Sequence, residues 1–254
     1  MAQQFGAGPM IELLGLSKRY GDFSALQNVH LQVGRGELFG LLGPNGAGKT
    51  TSMKLLMGFL KPSSGTARIA GLDCFESRVE LKRRVGYLPD EPVFYDYLRG
   101  VEIVEFMGDM HGLSRAESRA RSAPLLEELE LGDALFDYAI NYSRGMKKKL
   151  ALVCALLHEP EVLVLDEPTS GLDPLATRRL NELLSARQRR GTTILLSSHL
   201  LDQVERLCER VAIVAKGRIA AVGSLEDLKR ERGNSASLEE VFFAATGGVD
   251  GGSA

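Results

Sequence analysis

Cysteine, proline and unbalanced charge are all scarce in this 254-residue chain, and each shortage removes a class of protein. Cys74, Cys154 and Cys208 are an odd number of thiols with no CxxC pair, so neither a disulfide framework nor a zinc site is indicated. Nine prolines and no glycine period exclude collagen-like and low-complexity chains. With 31 basic side chains against 33 acidic ones, the net charge of −2 provides no global basic field for nucleic acid. The longest strictly apolar run, Ala151 to Leu157, is far too short to span a bilayer. The opening MAQQFGAGPM lacks the basic and apolar regions of a signal peptide. These absences point to a soluble chain in a reducing, cytoplasmic compartment, which does not stop it working at a membrane.

What is present is apolar material for a core, 44% of residues, and a glycine excess. Glycine makes up 28 of 254 residues, about 11% against a typical usage near 7%. Strand patterns cover Ile11 to Leu16, Leu26 to Val33, Glu37 to Leu42, Thr66 to Ala70 and Val85 to Leu88. A helix is expected from Lys49 to about Phe59, stopped by Lys61-Pro62-Ser63-Ser64-Gly65. Ser77 and Glu80 have capping-box spacing before a short helix, as do Ser114 and Glu117. Between Asp90 and Glu159 the apolar spacing turns helical, which reads as a lobe inserted into an α/β core. Val162 to Leu165 is a continuous apolar run of the kind found in parallel strands covered on both faces. An amphipathic helix over Leu175 to Arg189 and a buried strand over Thr192 to Ser197 follow. Lys216-Gly217 joins two further strands as a hairpin, and Ser224 and Ser237 open two short helices.

The segment that carries chemistry is Gly43-Pro44-Asn45-Gly46-Ala47-Gly48-Lys49-Thr50, a full GxxxxGK[ST] match between a strand and a helix. Its glycines let the backbone wrap closely round phosphates with N–H groups pointing inward. The helix N-terminus adds positive partial charge, Lys49 a full charge for the β- and γ-phosphates, and Thr50 a hydroxyl for Mg²⁺, with Thr51 next in the same turn. Asp166 and Glu167 follow the apolar run at 162–165. An acid ending a buried strand is costly unless paired or facing a metal, so Asp166 is expected to hold Mg²⁺. Glu167 is then placed to orient or deprotonate an attacking water.

Those two motifs serve many phosphate-loop families. Here they are accompanied by Tyr142-Ser143-Arg144-Gly145-Met146, Ser170-Gly171-Leu172-Asp173, Ser197-Ser198-His199, and Tyr20 ahead of the phosphate loop. In this order the set resembles the ATP-binding subunit of ATP-binding cassette (ABC) transporters, of an exporter-like subgroup, over about Ile11 to Phe243.

The resemblance implies an α/β fold: a P-loop NTPase core with a parallel sheet, an N-terminal antiparallel β subdomain and an inserted α-helical subdomain. It implies one ABC ATPase domain over 10–245, a helical insert at about 90–159 and a disordered tail at 246–254. Tyr20 would stack on adenine, and Gly43 to Thr51 would bind the phosphates. Ser143 and Gly145 would contact the γ-phosphate held by an opposite subunit. His199 would sense that phosphate, and Asp173 would bridge subunits. The loop after Leu88 normally carries a glutamine beside the metal; Pro89-Asp90-Glu91 stands here, and Asp90 can still accept a bond from metal-bound water.

The implied ligands are ATP and Mg²⁺. The implied partners are transmembrane permease subunits and a second ATPase subunit, identical or paired, with no nucleic acid. The location would be peripheral, on the cytoplasmic face of the cell membrane. Val93-Phe94-Tyr95 with Tyr97 reads either as packing inside the lobe or as a socket for a membrane subunit. Lys147-Lys148-Lys149 reads as a solvated helix face. The competing function is a non-transport ABC ATPase acting on ribosomes or DNA, although its usual second cassette, coiled-coil insert or zinc cysteines are not seen. A GTPase reading lacks the NKxD guanine motif.

Overall fold

The computed structural model describes residues 8–231 and 236–247; of the expected tail, 248–254 lies outside them. The chain divides into two compact units, one of residues up to Leu81 with those from Leu195 onward, the other Lys82–Ile194.

The first unit opens with β1 (Ile11–Tyr20) and β2 (Phe23–Val33), an antiparallel hairpin with Tyr20 opposite Phe23. Both strands run further toward their shared turn than apolar alternation indicates, because ladder pairing carries polar residues such as Lys18 along. Leu13 and Leu16 are both buried although three apart, since a register shift lies between them. Gly15, at φ +61, takes the extra residue and changes the phase of the strand. Then come β3 (Leu38–Leu42), α1 (Lys49–Leu56), β4 (Ser64–Ile69) and β5 (Leu72–Asp73). β4 pairs with β1 and β5 with β4, which completes the antiparallel N-terminal sheet. α1 stops at Leu56, short of Phe59, where Gly58 takes φ +64.

The second unit takes in the end of α2 (Arg78–Lys82) and contains β6 (Val85–Leu88), α3 (Gly100–Met110), α4 (Arg115–Glu128), two short 3-10 turns, α5 (Arg144–Leu156), β7 (Val162–Asp166) and α6 (Pro174–Arg189). β6 and β7 pair in parallel, Val85 with Val162 through Leu88 with Leu165. Every residue of β7 is buried, as its unbroken apolar run requires. The α4 capping box forms, with Glu117 N–H donating to Ser114 Oγ and the Glu117 carboxylate accepting from Ser114 N–H. Helices α3, α4 and α5 pack on one another, which makes the expected helical lobe.

β8 (Thr193–Ser198) runs across the division between the units. The first unit then resumes with α7 (Leu201–Leu207), β9 (Arg210–Ala215), β10 (Arg218–Ser224), α8 (Leu225–Arg230) and α9 (Leu238–Thr246). β9 pairs in parallel with β3 and antiparallel with β10. The turn between β9 and β10 has Lys216 at φ +48 and Gly217 at φ +74, the two left-handed residues that a tight hairpin demands. All three cysteines are buried free thiols, and loss of hydration pushes each thiol well up from its ordinary value.

Candidate nucleotide-binding site

In the first unit the loop from Gly43 to Gly48 leaves the buried end of β3 and enters α1. Gly46 and Gly48 adopt φ +77 and +112, so two successive turns bend the backbone back over itself. Close approach is enforced from below. A Cβ at Gly43 would lie 2.6 Å from the Val214 carbonyl, and one at Gly48 would lie 2.7 Å from Leu26 and 2.9 Å from the Ala25 carbonyl. The hairpin turn of β9 and β10 braces the loop, with Gly217 N–H donating to Ala47 O at 3.0 Å and Gln27 N–H donating to Gly217 O at 2.8 Å. Sequence reasoning assigned Gly217 to a hairpin only.

Lys49 is buried at the first turn of α1, and its Nζ donates to the carbonyls of Gly43 at 2.7 Å and Pro44 at 3.4 Å. Its ammonium is thus folded over the loop, while Asn45, Gly46 and Thr50 lie exposed. No acidic residue occupies the first turn of α1. A concave run of backbone donors, one lysine and an uncompensated helix N-terminus suits a polyphosphate. Tyr20 is 47% exposed at the end of β1, with Lys18 Nζ 5.1 Å from its ring centroid. His199 is exposed directly after β8, where Ser198 Oγ accepts from Leu200 N–H at 3.0 Å and fixes the turn.

In the second unit Asp166 is buried at the last position of β7. A carboxylate there needs a counter-charge, and an oxygen donor of this kind suits Mg²⁺. Glu167 follows at φ +47, a left-handed conformation that a non-glycine residue holds only when its surroundings impose it. Its carbonyl accepts from Ser170 N–H at 3.1 Å and from Lys148 Nζ at 2.5 Å. Ser143 is the N-cap of α5, its Oγ accepting from Met146 N–H at 3.2 Å, and Gly145 lies in the first turn. Asp173 caps α6 by accepting from Ala176 N–H at 2.8 Å, and that bond lowers its carboxyl pKa.

Two residues of this unit escaped sequence reasoning. The reading of Lys147 to Lys149 as a solvated face fails at Lys148, whose side chain is 1% exposed. A helix advances 100° per residue, so three neighbouring lysines cannot share a face, and the middle one points inward. Lys148 Nζ lies 3.3 Å from Asp90 Oδ1, and burial lowers its pKa against the pull of Asp90. Tyr87, on β6, has its phenol pKa raised by burial first and then by the charges of Asp166 and Asp90. Neither residue belongs to a motif, so no sequence signal could have found it. The packing alternative for the aromatic stretch is also overturned in part, because Val93, Tyr95 and Tyr97 are exposed.

The ABC transporter family profile matches residues 26–170. A probable multidrug ABC transporter ATP-binding protein of Escherichia coli, YbhF, is 36% identical over 92% of this chain, which spans only 41% of that relative's length. The daunorubicin resistance ATP-binding protein DrrA3 of Streptomyces coeruleorubidus is 38% identical over 89% of this chain and 72% of its own. A solved ATP-binding subunit of an ABC transporter superposes with a TM-score of 0.88 at 38% identity, covering 93% of this chain and 99% of that one. The fold is therefore that of a P-loop NTPase cassette, and the chain belongs to the ATP-binding proteins of the ABC transporter family.

Proposed function

We propose that residues 10–245 act as one cassette that hydrolyses ATP, pairs with a second ATPase subunit, and drives transport through separate transmembrane permease subunits. The observation that carries this reading is the phosphate loop, with Gly46 and Gly48 in left-handed turns and Lys49 folded over the loop carbonyls. Gly43 through Thr51 bind the triphosphate, and Tyr20 offers an exposed ring for adenine. Ser143 and Gly145, at an N-terminus open to solvent, meet the γ-phosphate bound by the opposite subunit. Thr50 and Asp166 would hold Mg²⁺, with Asp90 accepting from its water shell; the ion would neutralise charge on the β- and γ-oxygens.

Glu167 takes the proton of the attacking water while the water oxygen bonds to the γ-phosphorus and the bond to the ADP oxygen breaks. Lys49 balances charge on the phosphates, and His199 positions the γ-phosphate. Closure on ATP and release on ADP shift the dimer population and move the permease.

Among the described residues no helix is long and apolar enough to cross a membrane. In this reading the path for cargo belongs to the partner, and the cassette sits peripherally on the cytoplasmic face. Val93, Tyr95 and Tyr97 offer that partner an exposed apolar and aromatic surface.

The test is Glu167→Gln, which should stop turnover, keep ATP binding and accumulate an ATP-dependent dimer on size exclusion. Turnover at the wild-type rate would remove Glu167 as the base. Recovery of the tagged chain with membranes supports transport. Recovery only with ribosomes or DNA would favour the non-transport alternative.

A further inference from the structure

The acidic residues after Leu88, a departure from the family pattern named above, meet Arg144 and Lys148 of α5 in the second unit. Arg144 and Lys148 lie one turn apart on α5, so their side chains leave the same face. Arg144 Nη2 lies 3.6 Å from Asp90 Oδ1, 3.6 Å from Glu91 Oε1 and 3.3 Å from Ser170 Oγ. Lys148 Nζ lies 3.3 Å from Asp90 Oδ1 and donates to the Glu167 carbonyl at 2.5 Å. Only Lys148 is buried, so it makes the contact that solvent screens least.

The physical consequence falls on Glu167. Its left-handed backbone has to be imposed from outside, and its carbonyl is gripped from two sides, by Ser170 N–H and the Lys148 ammonium. Without that grip the left-handed φ of Glu167 would be free to relax, and a change of φ reorients the side chain carried on that Cα. Asp90 in turn holds the ammonium in place, and Arg144 lies beside the same carboxylate while reaching Ser170.

We propose that Lys148 is a positioning residue for hydrolysis: braced by Asp90, it locks the Glu167 peptide so that the Glu167 carboxylate is presented to water. This rests on the reading of Glu167 as the base. The loop at 89–91 thereby acquires a mechanical route to the base, through one buried lysine.

The experiment is a double-mutant cycle on single-turnover hydrolysis by the full chain with ATP and Mg²⁺. Trinitrophenyl-ATP reports nucleotide affinity separately. Lys148→Met should lower the rate by about 10- to 100-fold, the scale for a misplaced catalytic group, with affinity changed less than about twofold. Lys148→Arg, which keeps the charge, should restore at least a third of the lost rate on a logarithmic scale. In a Glu167→Gln background Lys148→Met should cost less than about twofold, because the group it positions is gone.

Equal losses in both backgrounds would overturn the proposal, as would a wild-type rate for Lys148→Met or a parallel collapse of affinity. If Glu167→Gln itself turns over normally, it is the assignment of the base that fails. Should Lys148→Met not fold, by its circular dichroism melt, Lys148→Gln, which keeps a donor without the charge, replaces it. A rate loss of about 3- to 10-fold with affinity kept would then support the brace, and a wild-type rate would overturn it.

Discussion

The imidazole rings of His111 and His158 stack face to face, 3.7 Å between centroids and 7° from parallel. His111 ends α3 and His158 follows α5, so the pair joins two helices of the second unit. Burial, then the neighbouring His111, lowers the His158 pKa from 6.5 to about 4. Burial also lowers that of His111.

A pH dependence follows. Between pH 6.5 and about 4 the unfolded chain binds a proton at position 158 that the folded chain refuses. The stabilisation is full above 6.5 and is lost as pH falls toward 4. Because the site is partly open, we expect the loss to be about 1–2 kcal/mol. His158→Phe keeps a stacked ring without the titration, so its melting temperature should fall less steeply over that window. Parallel melting curves for the two proteins would exclude the effect.

Gly46 and Gly48 share a left-handed backbone but not surroundings. A Cβ at Gly46 meets nothing within 4 Å, whereas one at Gly48 runs into Leu26 and the Ala25 carbonyl. Gly46→Ala should cost about 1 kcal/mol from backbone strain alone. Gly48→Ala has to displace the loop from β2 and should lose more than about tenfold in ATP affinity. Isothermal titration of both variants decides it, and equal affinities would mean that the loop is not seated on β2.

Lys49→Ala removes the ammonium that is folded over the phosphate loop. Nucleotide affinity should drop at least about tenfold, in line with loss of a charge-assisted contact. The fold should persist, since that ammonium ties the carbonyls of Gly43 and Pro44 within the loop it serves. Fluorescent-nucleotide binding with a circular dichroism melt on the same sample checks both halves.

Gly86 lies in β6, where a Cβ would collide with the Ala155 carbonyl of α5. Gly86→Ala should therefore lower stability by about 1–3 kcal/mol, the cost of overpacking, without touching nucleotide-binding residues. A denaturation midpoint that does not move would show that α5 can slide.

The strands that sequence reading located best are those whose signal is local. Val85 to Leu88 was placed to the residue, and Val162 to Leu165 to within one, because a strand covered on both faces is apolar at every position. β1 and β2 were read too short because their outer residues belong to a ladder, and pairing partners leave no mark on hydropathy. The serines that open α4, α8 and α9 accept the expected capping bonds, since a cap is satisfied within its own turn, and Ser143 accepts one at α5 that was not expected.

The expectation of phosphate binding came from the sequence alone, because eight contiguous residues carry the bends, the backbone donors and the charge. Tertiary structure alone decided that Lys148 is buried against Asp90 and Glu167, that Gly217 props the phosphate loop, and that Val93, Tyr95 and Tyr97 face outward. Each of those facts depends on which way a helix or loop is turned toward neighbours remote in the chain. That rotation is set by packing of the whole element, and three consecutive lysines look the same whichever of them turns inward.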